Sequence, residues 1–295
     1  FNLYLMNVNM LTVTNPHYPA MLLHLPQVPQ QLYIRGELTP LLTRPRVAVV
    51  GSRSLSPYGR EATHKLTLAL AEHGVVIISG LALGVDSVAH KAALAAGGQT
   101  IAVLPGSVET PYPGTHRRLA EEILEKGGVL VSEYPAGTIP YKGNFLARNR
   151  IIAGLADVIV VTEAAERSGS LNTARYGMEL GRDVLAVPGN IYSPTSLGTN
   201  NLIKTGASVA TRVEDILDAL GIAATAVTVG GVRAVPQVAD TAQQAIIDLL
   251  AAGHTDGELL LSQSNLDVTR YNQALTMLEI SGTVRALGAN HWSLR

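Results

Sequence analysis

The chain reads as apolar runs alternating with amphipathic stretches over most of its length. Val47 to Val50, Val75 to Ile78 and Val158 to Val161 are unbroken apolar segments rich in β-branched residues. Continuous rather than alternating runs of this kind mark strands covered on both faces, which is the pattern of a parallel sheet between helix layers. Strands are predicted at 47–51, 75–79, 100–104, 129–132, 157–162 and 183–187. Helices are predicted at 58–72, 85–96, 115–126, 169–180, 198–205 and 213–220. Helices between parallel strands require right-handed crossovers, so the predicted core is a doubly wound, Rossmann-like, mainly parallel α/β sheet spanning 44–220. Its ligand belongs beyond the C-terminal strand ends.

The flanks read differently. Residues 1–43 carry Pro16, Pro19, Pro26, Pro29 and Pro40. They are predicted to be an irregular lead-in packed on the core, with Leu32 to Gly36 as a short edge strand. Residues 221–240, with Gly-Gly, a proline and no clear period, read as a linker. From 241 to 295 three short helices are predicted, the first capped by Thr241 and running through Leu250, then 257–262 and 269–281. Two β-like stretches at 283–287 and 291–294 flank a turn at 288–290. That order spells a small C-terminal winged helix.

Composition narrows the chemistry. With 22 Lys and Arg against 23 Asp and Glu, the net charge is −1, so any basic surface must be local. There is no cysteine, which excludes disulfides and thiolate sites and is compatible with a cytoplasmic location. No stretch reaches the ~18 apolar residues of a membrane helix, so no membrane association is expected. The opening FNLYLMNVNML has no basic n-region, so no signal peptide is read; it also lacks an initiator Met, and upstream residues are expected.

Several glycine-bearing turns follow predicted strands: Gly51-Ser52-Arg53, Ser79 to Gly84, Pro105-Gly106-Ser107, Ser168-Gly169-Ser170 and Pro188-Gly189-Asn190. A loop, Lys142 to Arg150, is expected before the fifth predicted strand. Arg53, Lys142, Arg148, Arg150 and Arg167 gather on that one edge, a pattern suited to phosphate or a polyanion. Each member also has a plain structural reading. Gly51, Gly80 and Gly84 can serve tight turns, Phe145 can be core, and Ser168 and Ser170 can cap a helix. Phe145, flanked by Gly143, Asn144 and two arginines, also suits a base-stacking platform. Glu163 and Glu166 are expected to be ion-pair partners, and Asp86 and His90 a cap and a structural pair. Neither a dinucleotide fingerprint nor a P-loop, HExxH or nucleophile elbow is present, and no metal or cofactor is expected.

The run of motifs resembles the DNA-processing protein DprA (Smf) family. Carrying the resemblance are Gly51-Ser52-Arg53, Ser79-Gly80-x-Ala82-x-Gly84-Val85-Asp86, His90 and Phe145-x-x-Arg148-Asn149-Arg150. Gly169-Ser170-x-x-Thr173-Ala174, Gly181-Arg182 to Gly189, Gly198-Thr199-Asn200 and Gly206-Ala207 extend it, over roughly Tyr18 to Leu220. The helical domain that often precedes the core in that family has no counterpart here.

The resemblance implies a non-enzymatic, sequence-independent binder of single-stranded DNA. Such a protein protects incoming strands and loads the RecA recombinase in natural transformation. It also implies a homodimer, with RecA and single-strand binding protein as partners. Arg53, Lys142 and Phe145 are the carried-over DNA contacts. Gly51, Ser52, Asn144, Arg148, Arg150, Ser168, Gly169 and Ser170 are expected nearby, and helix starts near Ser54 and Ser170 are expected to offer N–H donors. Two other readings compete: a phosphoribohydrolase-like nucleotide-processing enzyme, and a winged-helix regulator with a small-molecule sensor core. The winged helix itself is expected to contact protein rather than duplex DNA.

Overall fold

Seven of the strands form the parallel centre of one sheet, and the N-terminal residues extend it. The computed structural model describes residues 8–222, 240–251, 254, 256–281, 283–288 and 291–294. Two short strands, β1 (Asn9–Thr12) and β2 (Gln31–Arg35), come first. β3 (Arg46–Val50), β4 (Val76–Ser79), β5 (Thr100–Val103), β6 (Val129–Ser132), β7 (Val158–Val161), β8 (Asp183–Ala186) and β9 (Ser208–Val209) follow, all mutually parallel. The spatial order is β1-β2-β6-β5-β4-β3-β7-β8-β9. The order reverses between β3 and β7, which is the switch point where such sheets open a crevice.

The lead-in differs from expectation. β2 pairs antiparallel with β6 and β1 with β2, so β2 is interior to the sheet and β1 is its edge. Leu32 and Ile34 of β2 are buried while Gln31 and Tyr33 are half-buried. That alternation is the signal of the strand expected at 32–36, and only its place inside the sheet rather than at the edge departs from the expectation. Pro16, Pro19, Pro26 and Pro29 all fall between β1 and β2, where their missing N–H groups cost no ladder bond.

Helices α1 (Leu38–Leu42), α2 (Pro57–Glu72), α3 (Val85–Ala95), α4 (Arg117–Glu125), α5 (Lys142–Leu155), α6 (Ser170–Glu179), α7 (Leu197–Lys204) and α8 (Val213–Ala219) cover the sheet. Alternate strand residues face opposite layers. Ala48, Val50, Ile78 and Ile159 pack with Ile151 and Ile152 of α5 and Leu22, Leu25 and Leu41 of the lead-in. Val47, Val49, Ile77 and Val158 pack with Leu70 of α2, Ala89 of α3 and Ile216 of α8.

The largest departure is α5. Residues 142–150 are not a loop but the first turns of a 14-residue helix. Tyr141 stands at its N-cap with no side-chain cap bond, and its first turn holds no acid. It is buried at Asn144 and from Arg148 through Leu155. A helix enclosed on most sides shows no clean apolar stripe, so periodicity misses it. Parallel pairing of β7 nevertheless demands a crossover, and a helix is the usual one.

The switch point is tied at both ends. At the base, the buried Arg46 donates to Asp157 Oδ1 at 2.5 Å and to the Leu155 carbonyl at 2.8 Å. At the top, Ser52 N donates to the Glu163 carbonyl at 2.7 Å. Gly51 fits there because a Cβ would lie 2.5 Å from Val85 and 2.6 Å from the Glu163 carbonyl oxygen.

The chain divides into two units, Phe1–Thr225 and Ala226–Arg295. The second holds α9 (Thr241–Ala251), α10 (Gly257–Gln263), α11 (Val268–Ile280) and the antiparallel pair β10 (Val284–Gly288) and β11 (His291–Leu294). Ile246, Ile247, Leu260, Tyr271, Leu275 and Leu278 form its core. The first of these helices is capped by Asp240, whose Oδ1 accepts from Ala242 N at 2.7 Å, rather than by Thr241. Most of the predicted linker (223–239) and the turn residues 289 and 290 lie outside the described residues.

Gly84, at φ +79°, presses on the backbone of Ser52 and Arg53, and a Cβ there would lie 2.1 Å from the Ser52 carbonyl oxygen. Gly84→Ala is therefore expected to lose about 2 kcal/mol or more, from backbone strain plus the clash. A urea midpoint equal to wild type would contradict this tight contact.

Candidate nucleic-acid interface

A cavity of about 420 Å³ opens at the switch point. Its walls include Gly51, Ser52 and Arg53 after β3, Phe145 and Arg148 from α5, and Arg167 to Ser170 after β7. The structure thus brings together eight of the eleven sequence-predicted residues: Gly51, Ser52, Arg53, Phe145, Arg148, Ser168, Gly169 and Ser170. Lys142, Asn144 and Arg150 do not line it.

At the mouth, the exposed Arg53 holds its guanidinium 4.8 Å from the Phe145 ring centroid. Such a cation–π contact is worth about 0.5–1 kcal/mol at an exposed site. Tyr112 meets the same ring edge-on, at 5.5 Å and 76°. Phe145 is half-buried, so it is part wall and part surface. Lys142, exposed in the first turn of α5, makes no ion pair among the described residues. Neither do Arg53 and Arg167, also exposed. Three cations therefore stand unneutralised on one rim.

The buried cations do different work. Arg148, almost wholly enclosed, donates to the Gly80 carbonyl at 2.5 Å and to the Val103 carbonyl, and faces Asp86 at 3.7 Å. Burial lowers its pKa to about 10, against the opposing pull of Asp86 and with a further push from Arg53, so it stays charged at neutral pH. Asp86 in turn accepts from Gly80 N and Ala82 N at 3.1 and 3.2 Å. Gly80 is glycine because a Cβ would lie 2.1 Å from the Arg148 guanidinium.

Arg150 forms a two-pronged ion pair with Glu133, at 2.8 and 2.6 Å, and donates to the Gln27 carbonyl. It fastens the lead-in to α5, away from the cavity lining. Asn144 is buried and donates to the Pro105 carbonyl at 3.0 Å. Arg148, Arg150 and Asn144 are thus bound inside the protein, and of the three only Arg148 reaches the cavity wall.

The two helix starts also differ. α2 begins at Pro57, not near Ser54. Its N-terminus is already filled by the Glu163 carboxylate, which accepts from Ser56 N at 2.9 Å and Ser56 Oγ at 2.6 Å. Glu163 is therefore a helix-terminal acceptor rather than an ion-pair partner. α6 begins at Ser170 with no side-chain cap at Gly169, and the Ser168 and Ser170 hydroxyls bond each other at 2.8 Å. The turn before it closes that terminus: Ser168 Oγ accepts from Ser170 N at 3.4 Å, the Ser168 carbonyl from Leu171 N at 3.2 Å and the Gly169 carbonyl from Asn172 N at 3.2 Å.

Asp86 and His90 do not pair. His90 Nδ1 lies 2.6 Å from Thr100 Oγ1, whose single proton goes to the Ile77 carbonyl. Nδ1 must then be the donor, which leaves Nε2 as a buried acceptor without a partner. Burial, with the charges of Arg148 and His116, pushes the His90 pKa down to about 3.

Tyr112, Tyr141, Arg117 and Arg118 escaped the sequence reading. Tyr112 precedes Pro113 in an irregular stretch, and Arg117 and Arg118 open a helix whose predicted span hid them. The signal available was their position after the third and fourth predicted strands, on the ligand edge.

A family model described as DNA recombination-mediator protein A matches residues 9–221. Protein Smf of Escherichia coli is 47% identical over 214 residues, 72% of this chain and 57% of that protein. DNA processing protein DprA of Streptococcus pneumoniae is 44% identical over 200 residues, 68% of this chain and 70% of that protein. The crystal structure of DprA from Streptococcus pneumoniae superposes with a TM-score of 0.68 at 41% identity, over 73% of this chain and 75% of that one. A structure of the Helicobacter pylori protein, concerned with its single-stranded DNA binding mode, gives 0.64 at 35%, over 72% and 95%. This chain spans little more than half the length of the Escherichia coli relative.

His90 generates a pH dependence. Its folded pKa of about 3 lies below the ordinary histidine value of 6.5, so the unfolded chain takes the proton first. The stability contributed by neutral His90 is complete above about 6.5 and is lost as pH falls toward about 3. Urea midpoints across that window should decline less steeply in His90→Gln than in wild type. Equal slopes would show that His90 does not govern the decline.

Proposed function

The chain belongs to the DNA recombination-mediator protein A (DprA, Smf) family, and on that premise we propose that it binds single-stranded DNA at the switch-point edge, without sequence preference and without chemistry. The observation that carries the reading is the meeting of a stacking ring and free cations on one rim: Arg53 over Phe145 at 4.8 Å, with Lys142 exposed three residues before that ring.

The division of labour follows from the side chains. Arg53, Lys142 and Arg167 neutralise phosphates, an interaction that weakens as salt rises. Phe145 offers a π-face that any base can use. Arg53 covers that ring in this structure, so a base stacking on the covered face displaces the guanidinium toward a phosphate.

An enzymatic reading finds less support. Asp86 in the cavity wall is engaged by Arg148 and two backbone N–H groups, and Glu163 by Ser56. Neither is free to move a proton for a substrate. Family membership supports a wider role in DNA recombination, and we infer protection of incoming strands, loading of RecA, contact with single-strand binding protein, homodimerisation and a cytoplasmic setting. Among the described residues no helix is long and apolar enough to cross a membrane.

For the C-terminal unit we infer a winged helix that contacts protein. Asp240, Asp256 and Asp267 each cap a helix start there through a carboxylate oxygen. Helix N-termini are where duplex phosphates are caught, and a carboxylate already seated on each repels them.

Fluorescence anisotropy of labelled oligo-dT across a salt series tests the site. Arg53→Ala/Lys142→Ala should bind weakly, with a log–log salt slope shallower by about 1.4, at about 0.7 per phosphate. Phe145→Ala should lose about 1–3 kcal/mol with the slope unchanged. No wild-type binding at low salt, together with release of free base from AMP, would turn the reading to the nucleotide-processing enzyme.

A further inference from the structure

Beyond the cavity the rim offers two directions, and they are chemically unlike. Past β8, residues 187–196 hold no Lys or Arg and expose Ile191 and Tyr192. Past β4, the connections β5–α4 and β6–α5 carry Tyr112, Arg117, Arg118, Tyr141 and Lys142, all exposed. A polyanion leaving the cavity is drawn the second way.

The two arginines are the telling feature. They occupy the first turn of α4, which holds no acidic residue. A positive charge there opposes the helix dipole. The carboxylates one turn on could offset them at i,i+4 spacing. Both are engaged elsewhere: Glu121 in a two-pronged pair with Arg35 at 3.2 and 3.1 Å, and Glu122 with Lys126 at 3.6 Å. No ion pair of Arg117 or Arg118 occurs among the described residues. Two adjacent cations kept without partners where the helix disfavours them break a local rule with no gain inside the fold, and such breaks belong to functional sites.

The segment is also held in place. Tyr112 packs on Phe145 at 5.5 Å, and His116 Nδ1 lies 2.8 Å from the Leu81 carbonyl. The β5–α4 connection is thereby fixed at two points, to Phe145 of the cavity wall and to the turn after β4. On the neighbouring connection the Tyr141 ring lies over Gly143, where a Cβ would sit 2.6 Å from Cε2. That ring remains 70% exposed. β3 and β6 are three strand spacings apart, about 14 Å, so the rim is long enough for more than one nucleotide.

We propose that the single strand, once seated at Arg53 and Phe145, continues over the β5–α4 and β6–α5 connections, where Arg117 and Arg118 take phosphates and Tyr112 and Tyr141 stack on bases. The path rests on the single-stranded DNA reading above. It makes the site longer than its anchor, so affinity should grow with oligomer length through residues that a short oligomer never reaches.

The test is anisotropy with the full chain, comparing labelled oligo-dT of about 3 nucleotides, which at about 3.4 Å each falls short of the roughly 14 Å to β6, with one of about 15 nucleotides, within the range of such sites. Arg117→Gln/Arg118→Gln should leave the short oligomer bound as in wild type. It should weaken the long one about tenfold at low salt, with a slope shallower by about 1.4. Tyr141→Ala should weaken the long oligomer more than the short one, with no change in slope. A urea midpoint at or above wild type is expected for the double variant, since it removes charges opposed to the dipole. Wild-type affinity for the long oligomer in the double variant, or equal loss on both lengths, overturns the path while the anchor stands. Wild type that binds neither length removes the anchor and the path together.

Discussion

A guanidinium buried at the top of the sheet must find its acceptors inside the protein, and much of the site follows from how Arg148 does so. Its acceptors are the carbonyls that end β4 and β5, and its counter-charge is Asp86 at the start of α3. Burying a charge is tolerable only when it is paired and hydrogen-bonded, and breaking such a set costs several kcal/mol. One side chain from α5 therefore locks the turns after two neighbouring strands. The turn after β4 has to let it in, which is why Gly80 lacks a side chain. The same turn sets Leu81 at φ 59°, an uncommon conformation for a side chain of that size, and aims two N–H groups at Asp86.

That lock separates two populations of arginine. Arg35, Arg46, Arg148 and Arg150 are buried, each with a carboxylate and at least one carbonyl. They join distant segments: α4 to β2, β7 to β3, α5 to the strand ends, α5 to the lead-in. Arg53, Arg117, Arg118 and Arg167 stand in solvent at the opposite end of the same scaffold from Arg46. A chain of net charge −1 can still hold free cations at one edge in part because several of its acids are tied to buried cations and helix termini. Glu163 on α2 is the clearest case, a carboxylate occupying the spot where an outside anion would otherwise bind.

Much of this was legible in the amino-acid order. Continuous β-branched runs announced the parallel strands, and glycine turns after them placed the ligand edge, because burial on both faces and close backbone approach leave direct marks on residue choice. The three helices of the C-terminal unit were likewise legible, although the first is capped by Asp240 and not by Thr241. Family motifs pointed to Arg53 and Phe145, which the fold brings within 4.8 Å of each other.

What only the tertiary structure decided is which neighbours each charged or concealed residue meets. Arg148 and Arg150 look like Arg53 in the sequence; burial and the partners Asp86 and Glu133, 62 and 17 residues away, make them internal fasteners. α5 is invisible to periodicity because it is enclosed on most sides, and the interior place of β2, expected as an edge strand over 32–36, is set by pairing with β6 about a hundred residues downstream. Arg117 and Arg118 have Glu121 and Glu122 in reach along the chain, and the fold alone assigns those carboxylates to Arg35 and Lys126. Local order sets what a residue can do; the competition among partners brought together by folding sets what it is free to do.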